Sequence, residues 1–398
     1  MTMLPTETRH CGTIFLIFLR LGLTSFGGPV AHLAFFHAEF VTRRRWLSER
    51  SYLELVALCQ FLPGPASSQV GMALGLSRAG YRGALAAWAG FTLPSALLMT
   101  WLGLSLVQAE SPIADGVLRG LKIAAVAVVA QAVCAMARQH CASPLRACFM
   151  GLGCVAALLM PYAWTQLLVI TAAALVGASL FRPATPQRAD AWPVPLGRSA
   201  GALWLAAFLL LLSGLPILNA LYASPALALV EAFYRVGALV FGGGHVVLPL
   251  LQSEVVSSGW IAPETFVAGY GAAQAMPGPL FTFAAFIGAA LQGGAGGWAA
   301  ALLCLLAIFA PSFLLLAGVL PFWAGLRQMP RMQAALVGVN ATVVGLLLAA
   351  FFQPVWSSAV HTWQDVLWTL LAFLALTYAK RAPWQVVAAS AGVGWLTG

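Results

Sequence analysis

Apolar residues fill long stretches of the chain, and polar residues fall between them. Uninterrupted apolar runs lie at about 83–107, 116–138, 145–160, 163–181, 201–221, 296–325, 331–352, 363–380 and 383–396. Each is read as a membrane-crossing helix, since a bilayer core of about 30 Å takes roughly 20 apolar residues. Four other apolar segments are interrupted near their middles. The segment 12–40 carries Arg20 and is cut by Gly27-Gly28-Pro29, and 52–80 is cut by Pro63-Gly64-Pro65. In the second half the cuts fall at Gly242–Gly244 and Pro277–Pro279. Glycine and proline end or kink a helix. Each limb then has only ~12–15 residues, about 20 Å at 1.5 Å rise, too short to cross alone. The pattern predicts four broken hairpins that enter and return on one side. Thirteen conventional spans with the same end locations are the competing reading.

The second half of the chain repeats the first. FLRLGLTSFGGPVAHL (18–33) matches FYRVGALVFGGGHVVL (233–248), so that Arg20 aligns with Arg235, Gly27-Gly28 with Gly242-Gly243, and Glu39 with Glu254. With one gap, 46–65 matches 260–279, pairing Gln60 with Gln274 and ending both copies in Pro-Gly-Pro. FTLPSALLM (91–99) matches IFAPSFLLL (308–316), and 120–129 matches 338–347 more weakly. Duplication of this kind is a habit of secondary transporters. The expected organisation is a first repeat over 12–181, a polar, proline-rich cytoplasmic linker over 182–200, an extra helix over 201–221, and a second repeat over 227–396.

Composition agrees with the pattern. The chain of 398 residues is 61% hydrophobic and 8% charged, with a mean hydropathy of +0.90, where soluble domains are about half apolar and a quarter charged. No cleavable signal peptide is expected, because the N-terminus is polar and no small-residue cleavage site follows it. The net charge of +9 is assigned to cytoplasmic loops rather than to nucleic acid, which is not an expected partner. Arg43-Arg44-Arg45, Arg50, Arg78, Arg82, Arg138, Arg146, Arg182, Arg188, Arg198, Arg327, Arg331 and Lys380-Arg381 occupy alternate loops, while the loops near 110–115, 161–162, 221–225, 254–264, 293–297 and 353–363 hold no Lys or Arg. Every basic loop lies inside if the hairpins are re-entrant, with a cytoplasmic N-terminus and a periplasmic C-terminus. The extra helix then turns the second repeat over. The expected fold is an all-α polytopic membrane protein of two inverted-topology repeats, with broken hairpins at the repeat interface.

Non-helical backbone is tolerated at membrane depth only where protein buries it or a wet cavity receives it. Each break also exposes the N-terminus of a half-helix, whose free N–H groups and positive dipole end suit an anion. Gly27, Gly28, Gly64, Gly242, Gly243 and Gly278 are therefore candidate backbone ligands, with Pro29, Pro63, Pro65, Gly244, Pro277 and Pro279 completing the breaks. Arg20 and Arg235 each lie six residues before a Phe-Gly-Gly. An arginine inside a bilayer costs at least ~3 kcal/mol, and its planar fork fits a tetrahedral oxyanion. The competing reading pairs each arginine with Glu39 or Glu254, or has it cap carbonyls at a hairpin tip. Lys122, aligned with Asn340, either completes the anion site or snorkels to the outer face. Gln60 and Gln274 offer amide donors or helix contacts, and Ser67, Ser68 and Thr282 offer hydroxyls just past the breaks. His245, His32 and His37 are packing residues first and proton carriers second. Glu39 and Glu254 are candidates for coupling, although a carboxylate near a limb end is also cheaply solvated. Trp46 and Trp260 are expected as interface anchors. The seven cysteines include no CxxC pair and no metal spacing with histidine, so neither a metal nor a cofactor is expected.

The doubled Phe-Gly-Gly-Pro/Gly signature, the Pro-Gly-Pro of each half and the two inverted halves resemble the chromate ion transporter family, over about 12–396. The resemblance implies a bacterial inner-membrane protein that exports chromate from the cytoplasm and confers chromate resistance. Its conserved positions carry over to Arg20, Gly27, Gly28, Pro63, Gly64, Pro65 and their second-half counterparts. Pro29 against Gly244 departs from strict equivalence. Chromate is a tetrahedral dianion shaped like sulfate, so sulfate is a competitor or counter-substrate. Membrane lipid surrounds the chain, and a homodimer is left open. Export of a dianion gains ~2.3 kcal/mol per charge per 100 mV from an inside-negative potential, and no P-loop is present. A transporter of sulfate or another oxyanion is the alternative. A membrane lipid-diphosphate phosphatase-like enzyme is a further one: PGPASSQ (63–69) faintly resembles a Pro-Gly-x-Ser-Arg-Ser motif, but no arginine follows the serines. A channel completes the alternatives.

Overall fold

The computed structural model describes residues 10–108, 112–160, 163–181, 196–241, 244–294, 296–326 and 329–397. Among these residues every regular element is helical. In the first repeat α1 (Cys11–Thr24) leads through a break into α2 (Gly28–Phe36), whose last turns loosen into a π-helix, His37–Arg43. Then come α3 (Glu49–Phe61), α4 (Ala66–Gln108), α5 (Pro112–His140), α6 (Pro144–Leu159) and α7 (Ala163–Leu180). The helix between the repeats is α8 (Arg198–Tyr222). The second repeat holds α9 (Pro225–Leu239), α10 (Val247–Leu251), α11 (Pro263–Ala275), α12 (Phe283–Ala289), α13 (Trp298–Val319) and the short α14 (Trp323–Leu326). It ends with α15 (Pro330–Ala350), the single turn α16 (Ser357–Ala359), α17 (Trp363–Thr377) and α18 (Pro383–Thr397).

Local chemistry sets the boundaries. Ser25 leaves the helix in an extended conformation and Gly27 takes φ +102°, which a residue with a Cβ rarely adopts. Ser48 and Ser143 cap α3 and α6, and Thr362 with Asp365 forms a capping box on α17. Inside α4 the helix is broken again at Ala79 and Gly80, where Gly80 has φ +61°. This point, flanked by Arg78 and Arg82, separates the second hairpin from the span that follows it.

The interrupted segments double back. Phe18 and Phe36 would stand about 27 Å apart on a continuous helix, yet their ring centroids are 5.6 Å apart, and Phe18 also stacks on Phe40 at 5.1 Å. Arg235 and Glu254, 19 residues apart, form a bidentate ion pair. The second hairpins close at their bases. The Trp46 carbonyl accepts from Arg78 Nη2 at 3.1 Å, and the Trp260 carbonyl accepts from the Gln292 N–H at 3.0 Å. These two contacts are repeat equivalents. Thirteen straight spans are incompatible with this geometry.

Two features differ from expectation. Trp46 is buried beneath the Arg78 guanidinium, 4.5 Å from its ring centroid, so it locks a hairpin base rather than anchoring in lipid. Among the described residues five helices, Ala66–Leu106, Gly116–His140, Arg198–Tyr222, Trp298–Phe322 and Pro330–Ala359, are long and apolar enough to cross a membrane. Helices α6, α17 and α18, expected as full spans, have 16, 15 and 15 residues, about 22–24 Å. Each begins at a proline or a capping box, within a residue of its expected start, and is too short for a 30 Å core.

The two halves interlock by exchange. Helix α5 packs against α17 and α18 of the second repeat, and its equivalent, α15, packs against α6 and α7 of the first. Arg119 on α5 grips Asp365 on α17 through Nε at 3.0 Å and Nη2 at 2.8 Å. On both exchanged helices glycine lets the backbones touch: a Cβ on Gly120 would collide with the Ser390 carbonyl, and one on Gly345 with that of Met150. Helix α8 lies outside this interlock, against α9 and α13, with Leu203, Leu209, Leu210 and Leu221 outward.

Overpacking a tight core contact costs roughly 1–3 kcal/mol. Gly120→Ala and Gly345→Ala are therefore expected to lower the unfolding temperature of the detergent-solubilised protein. Gly151→Ala, where a Cβ meets open space, is expected to leave it unchanged. Equal effects at all three positions would contradict the interlock.

Candidate functional site

The four breaks meet in pairs, each pair drawn from both halves. The Gly64 N–H donates to the Val240 carbonyl at 2.7 Å, and the Gly278 N–H donates to the Ser25 carbonyl at 3.0 Å. Ser25 and Val240 are repeat equivalents, as are Gly64 and Gly278. The two bonds are thus one interaction made twice about a pseudo-twofold axis. Both glycines lie in the left-handed region, with φ +117° and +98°. A Cβ on Gly64 would collide with the Ser312 hydroxyl, and one on Gly278 would come within 2.8 Å of that of Ser95. Ser95 and Ser312 are equivalents too. The axis passes between Pro29 and Gly244: a Cβ on Gly244 would stand 3.3 Å from Pro29 Cγ. The departure from strict repetition at this position therefore has a steric basis, since the pair touches and one member must be small.

The two arginines have different fates. Arg235 binds Glu254 bidentately, Nε to Oε1 at 2.9 Å and Nη2 to Oε2 at 2.6 Å, and it donates to Glu231 through Nη1. These side chains are only 9–11% exposed, so Arg235 is committed to carboxylates, as the pairing alternative held. Glu231 is a partner the sequence reading missed. Its signal was legible: a carboxylate four residues before an arginine on an otherwise apolar helix shares that arginine's face. In the first repeat Leu16 replaces Glu231. Glu39 is taken by Arg44 Nε at 2.6 Å and Arg43 Nη1 at 3.1 Å. Arg20 is exposed, and among the described residues no carboxylate is recorded on it. The triple arginine, absent from 256–259, diverts the glutamate. No described contact joins Arg20 to Arg235.

The remaining candidates scatter. Lys122 Nζ donates to the Ser358 carbonyl at 3.1 Å, fastening α16 to α5. Asn340 is half-buried on α15, Gln60 is exposed, and Gln274 is half-buried, so the aligned pairs occupy unlike surroundings. His245 Nδ1 lies 3.0 Å from the Tyr270 hydroxyl. His37 lies 3.8 Å from Glu49, and the buried His32 lies 3.4 Å from the Ser67 hydroxyl through Nδ1. Gly27 and Gly28 both have positive φ, at the start of α2. Gly242 and Gly243 lie outside the described residues. Pro63, Pro65, Pro277 and Pro279 are buried beside their glycines. Gln69, also missed, folds back to donate from Nε2 to the Pro63 carbonyl at 2.7 Å. Among the described residues no three His, Cys, Asp or Glu side chains are grouped to hold a metal. The corners where the breaks meet hold backbone donors, helix ends and hydroxyls.

The family model described as "Chromate transporter" matches the chain twice, over residues 12–178 and 227–395. A chromate transport protein of Pseudomonas aeruginosa is 29% identical, covering 96% of this chain and 91% of that protein. One of Cupriavidus metallidurans is 27% identical, covering 98% of this chain and 93% of that protein. An uncharacterized transporter of Bacillus subtilis is 31% identical over 156 residues, which is 38% of this chain but 85% of that protein. It therefore has about the length of a single repeat. No solved structure matches the chain.

Removing one partner of a buried ion pair costs roughly 3–5 kcal/mol, because the other charge is left buried and bare. Arg235→Ala is accordingly expected to lower the unfolding temperature sharply. Adding Glu231→Gln and Glu254→Gln to it restores much of the loss, and Arg20→Ala changes little. Thermal unfolding in detergent reads all of these, and equal losses for the two arginine variants would refute the assigned inequality.

Proposed function

The chain belongs to the chromate transporter family, and from that premise we propose that it exports chromate from the cytoplasm across a bacterial inner membrane, giving chromate resistance. The observation that carries the reading is the pairwise meeting of helix breaks from the two repeats. It gathers helix N-termini and positive-φ glycines where protein encloses them, the arrangement that discontinuous-helix transporters use for anions. Full-length relatives described as chromate transport proteins supply chromate as the anion. Sulfate, of the same shape and charge, competes or exchanges.

Orientation follows from charge. Arg43, Arg44, Arg45, Arg50, Arg78 and Arg82 gather near the hairpin bases of the first repeat. The equivalent base in the second repeat, around Trp260 and Gln292, carries none. With basic segments cytoplasmic, the repeats are inverted about an axis in the membrane plane. The N-terminus is cytoplasmic and the C-terminus periplasmic. Arg20, six residues before its break, attracts the dianion toward the crossing. An inside-negative potential drives export at ~2.3 kcal/mol per charge per 100 mV, about twice that for a dianion, so no nucleotide is consumed. The function is transport rather than catalysis, and Glu39 and Glu254 hold hairpin geometry as ion-pair partners.

The test is flux. Inverted vesicles containing the purified protein are expected to accumulate labelled chromate, faster when the lumen is made positive and more slowly with excess sulfate. No chromate uptake by a folded preparation would overturn the reading.

A further inference from the structure

The two corners of the crossing share one backbone geometry but differ in their hydroxyls. At the Gly64 corner, Ser68 and Ser312 are 2% and 0% exposed, and neither Oγ has a hydrogen-bond partner. Their repeat equivalents at the Gly278 corner are Thr282 and Ser95. Thr282 donates to the Pro279 carbonyl at 2.9 Å, and Ser95 donates to the Thr92 carbonyl at 3.1 Å. The same two positions are thus unsatisfied on one side of the axis and satisfied on the other. A buried hydroxyl without a partner costs roughly 1–3 kcal/mol, so two of them together call for an explanation.

The surroundings differ in the same sense. Beside Ser68 the buried side chains are Ser67 and Gln69, 2% and 0% exposed, where Thr282 has the fully buried Phe281 and Phe283. The Ser312 hydroxyl lies over Gly64, beside the Gln69 amide. Ser68 belongs to the first turn of α4. The Gln69 N–H is the first to be taken by the Pro65 carbonyl, leaving the N–H groups of residues 66–68 as the free end of a helix that runs 13 residues to Arg78. No carboxylate is recorded in contact with these groups.

We propose, building on the oxyanion reading above, that the chain holds a single tetrahedral oxyanion at the Gly64 corner. The Ser68 and Ser312 hydroxyls and the first-turn N–H groups of α4 are the donors. The twin corner at Gly278, where Thr282 and Ser95 are satisfied and Phe281 and Phe283 flank Thr282, is a packed joint. The anion's charge is balanced by the helix end and by neutral donors, not by Arg235. The unpartnered Oε1 of Gln69 is an acceptor, met by water that a hydrated anion retains.

The experiment is equilibrium titration of chromate, and separately sulfate, into the purified full-length protein in detergent. Ser68→Ala and Ser312→Ala are expected to weaken binding about tenfold or more, the loss of a hydrogen bond to a charged ligand. Thr282→Ala and Ser95→Ala stay within about twofold of the unchanged protein. Ser68→Thr, which installs the residue of the other repeat and keeps the hydroxyl, retains affinity. In anion-free buffer Ser68→Ala and Ser312→Ala raise the unfolding temperature, because each removes an unsatisfied buried hydroxyl. A purely structural role would lower it. Equal losses at the two corners, or no loss at Ser68 and Ser312 in folded variants, would overturn the assignment. If the unaltered protein transports chromate while these variants bind normally, the site fails and transport stands. If it neither binds nor transports either anion, both fail.

Discussion

Backbone that leaves a helix inside a membrane must still satisfy its N–H and C=O groups, and lipid offers nothing to do so. The arrangement of this chain follows from that constraint. Each repeat breaks two helices, and each relies on the other for part of the repair. Gly64 of the first repeat supplies the N–H that Val240 of the second requires, and Gly278 of the second does the same for Ser25 of the first. Two hydrogen bonds, related by the pseudo-twofold axis, tie four breaks into one crossing. The exchange of α5 and α15 between the halves, and the Arg119–Asp365 pair, hold the scaffold around it.

Duplication provides symmetry, and later substitutions remove it where charge and hydroxyls are concerned. Arg235 is enclosed by Glu231 and Glu254, whereas in the first repeat Arg43 and Arg44 take Glu39 and leave Arg20 exposed. Phenylalanines flank Thr282 at one corner of the crossing, and serine and glutamine flank Ser68 at the other. Such divergence lets one corner serve as a joint and the other as a site while the backbone frame stays common to both.

Much of the fold was legible because its signals are one-dimensional. Glycine and proline mark Gly27, Gly64 and Gly278 directly, the duplicated blocks give the two halves, and Arg78 beside Gly80 marks the end of the second hairpin. Unlike these, the site depends on which residues meet across 200 positions, and spacing alone does not carry that. Ser312 reads as an ordinary helix residue until Gly64 is found against it. Gln69 reads as a polar residue in an apolar helix until it turns back on Pro63. Lys122 looked like a buried cation available to an anion and proved to hold a carbonyl. Arg20 and Arg235 look alike in sequence because the residues that distinguish them, Glu231 and Arg43–Arg45, lie outside the matched signature.

The central claim is that the crossing of the breaks receives the anion, and locating the anion tests it most directly. Crystals grown with selenate, a tetrahedral dianion whose selenium scatters anomalously, would place one peak per chain. The account predicts that peak between the Ser68 and Ser312 hydroxyls, at the first turn of α4. A peak on Arg235, at the Gly278 corner, or only on the exposed loops would contradict it.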